Sequence, residues 1–60
     1  MTRETMMLYL ADNYDMLEAI MAENQHSRQE AESEMFATLM LAGVLKPQDL
    51  PLFLECMNDV

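Results

Sequence analysis

Chemistry in this chain would have to come from a few residues: the single His26, the single Cys56, and the helically spaced carboxylates Asp12, Asp15 and Glu18. A histidine acts as general base when it reaches a nucleophile or a reacting proton. His26 lies instead in the polar run from Glu23 to Glu30 and reads as a solvated side chain. Cys56, among the apolar residues of the carboxy-terminal segment, reads as a small buried hydrophobe and not as a reactive thiol. One cysteine forms no intrachain disulfide, and one distant histidine completes no Cys/His zinc set. The three carboxylates lack the glycine-hinged loop with which an EF-hand holds calcium. No enzymatic activity, cofactor or metal is expected.

The charge balance narrows the partners. Eleven Asp and Glu stand against Arg3, Arg28 and Lys46, for a net charge of −8. Three scattered cations cannot supply the counterion release that dominates nucleic-acid binding, and an anionic membrane is disfavoured for the same reason. No apolar run approaches the roughly 20 residues that span a bilayer, and the start does not lead into a signal peptide. The expected location is the cytoplasm. Carboxylates in such number are also able to imitate a phosphate backbone, and Asp12, Asp15, Glu18 and Glu23 form the candidate acidic face.

These residues must be carried by helices, because 52% of the chain is hydrophobic while glycine (1) and proline (2) are scarce. The first helix is expected from Arg3 to about Asn24, capped by Thr2, with Met7, Leu10, Tyr14, Leu17 and Met21 recurring at spacings of 3 and 4 as one apolar seam. Ser27-Arg28-Gln29-Glu30 fits a capping box, which places a turn near Asn24 to His26 and starts a second helix, about Arg28 to Ala42, carrying Met35 and Leu39. The rival is one unbroken helix from Thr2 to Ala42, since the seam continues in phase. Gly43 is placed for a left-handed C′ residue with Val44 covering Leu39, Asp49 for the N-cap of a third helix from Leu50 to about Asn58, and Pro51 for its first turn.

The expected fold is all-α: a helical hairpin plus a short third helix, in one domain of residues 1–60. Folding at the polar junction brings the apolar outer ends together, and Leu52, Phe53, Leu54 and Met57 then close over them. A chain of 60 residues buries only about 60% of its unfolded surface, so completion as a homodimeric helical bundle is expected. The candidate dimer or partner interface is Met7, Leu10, Tyr14, Leu17, Met21, Met35 and Leu39. Swapped and unswapped topologies make the same contacts. A third arrangement, with a break at Asp12-Asn13, gives a short, long, short order that looks like a histone fold. Leu8 and Met16 project toward the acidic side of the first helix, where they need a neighbour from the third helix, a second subunit or a client. The eight methionines suit both an irregular core and an adaptable partner surface.

An acidic, Met-rich chain opening Met1-Thr2-Arg3-Glu4-Thr5-Met6-Met7-Leu8-Tyr9-Leu10 looks like small accessory proteins from lambdoid phage early regions. That resemblance implies a helical protein, able to dimerise, that alters host or phage regulation in the host cytoplasm, with no catalytic residues to carry over. The expected function is a non-enzymatic protein-interaction module with a protein client. The alternative is an acidic nucleic-acid mimic that inhibits a DNA- or RNA-binding protein.

Overall fold

The computed structural model describes residues 1–24 and 27–60, and it is all-helical. Helix α1 spans Arg3–Asp12, α2 Tyr14–Asn24 and α3 Arg28–Leu41; a 3-10 turn, Pro47–Asp49, leads into α4, Leu50–Asp59. Gln25 and His26 lie outside the described residues, and with them part of the expected turn.

The expected first helix is two helices. Asp12 and Asn13 are both poor helix formers whose short polar side chains compete for the backbone. Asn13 takes φ −113° and ψ 17°. Its side-chain amide donates to the Tyr9 carbonyl at 2.9 Å, and its backbone N–H is shared between the carbonyls of Tyr9 (3.1 Å) and Leu10 (3.3 Å). Carbonyls left over at the end of α1 are thus satisfied on the spot. Met16 N–H then donates to the Asn13 carbonyl at 3.0 Å, opening α2. The break at Asn13 is the one a histone-like order requires, but the short, long, short sequence of lengths does not follow. Ser27 is extended (φ −64°, ψ 164°) and separates α2 from α3, which also rules out the unbroken helix from Thr2 to Ala42.

With the break in place, α1 packs chiefly on α4 and α2 on α3, and α3 meets α4. The core holds Met6 and Leu10 from α1, Leu17 from α2, Ala31, Met35, Phe36 and Leu39 from α3, then Leu45, and Phe53, Cys56 and Met57 from α4. Phe36 and Phe53 meet edge to face, centroids 5.1 Å apart, across the α3–α4 joint. Of the two adjacent methionines of α1, Met6 and not Met7 is taken fully inside, together with Leu10. Among the α4 residues expected to close the core, Leu52 is half-buried and Leu54 stays 41% exposed.

Local signals at the helix ends act as their chemistry dictates. Thr2 accepts from Thr5 N–H at 3.2 Å, and the Ser27 capping box is complete, with Glu30 N–H donating to the Ser27 hydroxyl and Ser27 N–H to the Glu30 carboxylate. Gly43 has φ +79°, and Val44 N–H to Leu39 C=O with Gly43 N–H to Met40 C=O, both 3.0 Å, form a Schellman motif. The hydrophobic follow-through differs from expectation, since Val44 stays 37% exposed and Leu45 is the residue buried. Asp49 is the N-cap residue of α4, as expected, but its side chain makes no cap bond there. Its carboxylate accepts from Lys46 N–H at 2.9 Å, across the 3-10 turn.

Two arginines fasten α4. Arg3 pairs with Glu55 at 2.7 Å and with Asp59. Arg28 pairs with Glu32 at 2.9 Å and donates to the Met57 carbonyl at 2.6 Å, placing positive charge at the negative end of a helix whose own last turn carries no base. A compact monomer of 6.9 kDa exposes about 4000 Å², and this chain exposes 3973 Å². One chain therefore closes its own core.

Candidate interaction surfaces

Helix α3 becomes apolar on nearly every side toward its end, and the core uses only part of that circumference. Ser33, Phe36, Ala37 and Met40 line one wall of a depression of about 340 Å³, with Pro47 and Leu50 opposite. A second depression, of about 400 Å³ and lined by Gln29, Glu32, Ser33, Leu54 and Asn58, shares Ser33 with it. The two follow one another along α3 on either side of Ser33, a groove-like run beside α4 that is apolar at the Met40 end and polar at the Gln29 end. Eleven helical rises separate Gln29 from Met40, about 16 Å, the length of three helical turns. On the outer side of α3 near the apolar end, Leu41 is 91% exposed, and Leu50, on the far wall, is 39% exposed.

The residues expected at an interface between chains are found inside one chain. Leu10, Leu17, Met35 and Leu39 are buried, and Met7, Tyr14 and Met21 are half-buried against the same core. Such residues join two chains only if helices are exchanged. Met16 is likewise half-buried against the core, whereas Leu8 remains 65% exposed. Tyr14 has the Arg28 guanidinium 5.9 Å from its ring centroid, a cation–π contact at the α2–α3 seam.

Asp12, Asp15, Glu18 and Glu23 are all exposed on α1 and α2, as is Glu4. Arg3 pairs with carboxylates of α4 and Arg28 with Glu32 of α3, while Arg28 also lines a depression with Tyr14 and Glu18 at the edge of this face. Among the described residues no group of three or more His, Cys, Asp or Glu is placed to hold a metal ion. Cys56 is buried, its thiol 3.9 Å from the Arg3 carbonyl, a weak donor contact inside the α1–α4 seam. His26 lies outside the described residues.

No protein-family model, curated protein or solved structure matches this chain. Among the described residues no helix is long and apolar enough to cross a membrane. The functional reading therefore rests on surfaces. Sequence reasoning passed over the groove, although its signal was present: Met35 to Leu45 offers more apolar directions than a hairpin and one short helix can cover.

Proposed function

We propose that this chain is a non-enzymatic protein-interaction module that self-associates and binds a client protein, in the manner of the accessory regulators that its amino-terminal resemblance implies. The observation that supports client binding is the apolar end of α3, where Leu41 is 91% exposed next to the depression lined by Met40 and Leu50. The length of the groove-like run beside α4 suits three turns of an amphipathic helix laid into it. The charge of −8 favours a helix with basic flanks.

Affinity capture from bacterial lysate tests this, comparing the wild type with Leu41→Asp at low and high salt. Covering a leucine contributes about 2 kcal/mol, so Leu41→Asp is expected to weaken client binding by about thirtyfold or more. A client held equally by Leu41→Asp counts against the apolar end of α3 as its binding surface. Sedimentation equilibrium tests self-association, with a mass approaching twice 6.9 kDa expected as concentration rises.

The exposed α1–α2 carboxylates Asp12, Asp15, Glu18 and Glu23 support a second reading, a nucleic-acid mimic, with Arg3 paired to α4 and only Arg28 near their edge. A partner held that way is released by salt. It is also lost when Asp12, Asp15 and Glu18 are replaced by their amides.

A further inference from the structure

The break at Asn13 interrupts an apolar stripe that does not change phase. On one straight helix the buried residues Met6, Leu10 and Leu17 fall within about 40° of one another, and Asn13 falls about 20° beyond them. Asn13 is thus the one polar residue at a seam position between Met6 and Leu17. Its own side chain holds the break, through the 2.9 Å bond to Tyr9. Meanwhile α1 buries its side chains chiefly against α4, far away in sequence, and a second copy offers the same α4 surface.

We infer that the chain self-associates by exchanging α1. Asn13 adopts helical geometry, α1 and α2 fuse into one helix from Arg3 to Asn24, and α1 of each chain docks on α4 of the other in a twofold-symmetric dimer. The inference rests on the self-association part of the proposed function and supplies its mechanism. Exchange keeps every buried residue buried, so the equilibrium is decided at the hinge. Straightening gains the backbone hydrogen bonds of a continuous helix and gives up the Asn13 side-chain cap. Asp12 and Asn13, as poor helix formers, hold the balance toward the monomer. Two chains of charge −8 repel one another, so added salt raises the dimer fraction.

The test compares wild type, Asn13→Ala and Asn13→Gly by sedimentation equilibrium, together with isotope-filtered NOE spectra of equal mixtures of labelled and unlabelled chain. Alanine is the better helix former, and the difference counts once per chain, so Asn13→Ala is expected to raise the association constant about tenfold. Asn13→Gly is expected to lower it. Arg3 and Cys56, whose carbonyl and thiol are 3.9 Å apart, should then give NOEs between chains in the Asn13→Ala dimer. The inference is overturned if Asn13→Ala stays monomeric up to millimolar concentration, or if its dimer shows the Arg3–Cys56 contact only within a chain. An unfolded Asn13→Ala also overturns it, because the straightened helix is meant to be the better helix. Leu41 takes no part in the exchange, so failure of client binding and failure of dimerisation show up separately.

Discussion

The two helix pairs are fastened by different means. Helices α2 and α3 follow each other after three residues and are joined by Leu17, Ala31, Met35 and Leu39, with a complete capping box at the start of α3. Helices α1 and α4 are separated by 37 residues, and they are joined by Met6, Leu10, Phe53 and Cys56 with the Arg3 ion pairs at the edge. Closing the longer loop costs about 2 kcal/mol more in chain entropy. Contacts of similar size thus leave α1 as the element attached last and released first, while the α2–α3 hairpin is local. The exchange of α1 proposed above draws on that asymmetry.

The largest expected effect removes the joint between the pairs. Phe53 is fully buried and meets Phe36 across α3 and α4, so Phe53→Ala should cost about 3–5 kcal/mol. A domain of this size is stable by roughly 3–9 kcal/mol in all, so the variant should lose a third or more of its stability, read as a large drop in the urea midpoint followed by circular dichroism. If the α2–α3 amides instead kept their hydrogen-exchange protection in Phe53→Ala, the two pairs would be independent folding units.

A smaller effect is expected at Arg28, which bridges the pairs. Its guanidinium pairs with Glu32, whose side chain is only 11% exposed, bonds the Met57 carbonyl and lies over Tyr14. Arg28→Ala leaves a mostly buried carboxylate and an α4 carbonyl without this donor. The expected loss is about 1–2 kcal/mol, below that of a fully buried pair because Arg28 itself is 43% exposed. Arg28→Lys should restore only part of it, since an ammonium cannot form the planar fork. Urea titration reads both, and a loss under about 0.5 kcal/mol would make the bridge ornamental.

What the sequence disclosed follows from how far each signal reaches. The Ser27 capping box and the Gly43 Schellman motif act within a few residues, and both stand where the residue types place them. The all-helical class followed from apolar periodicity in a chain with little glycine or proline. The Asn13 break was less legible because no glycine or proline marks it and the stripe runs through it in phase; a side-chain bond to Tyr9 marks the break in the fold. Met6, not Met7, shares the direction of the buried Leu10 and Leu17, while Met7 lies about 60° to the side of Leu10 on the helix and is only half-buried. Asp49 stands at the N-cap of the last helix as its residue type places it, but its carboxylate bonds back to Lys46 N–H because a 3-10 turn too short to show in periodicity precedes the helix. The groove was hidden differently. Apolar residues announce that they want cover, but only the packed fold shows that Leu39 receives it and Leu41 does not.

The smallest expected effect sharpens the comparison most. Arg3 ties α1 to α4 through Glu55 and Asp59, all three side chains being about half exposed or more. Exposed pairs of this kind are worth about 1 kcal/mol or less, so Arg3→Ala should barely move the urea midpoint. Cys56 lies buried beneath this contact, and a thiol reagent reaches it once α1 lifts from α4. If α1 opens without the hairpin, its opening is a local event with its own, lower free energy. Arg3→Ala should then speed Cys56 labelling up to about fivefold while leaving amide exchange in α3 at Met35 and Leu39 unchanged. Parallel acceleration of both would mean that α1 opens only with global unfolding, and the asymmetry between the pairs would be lost.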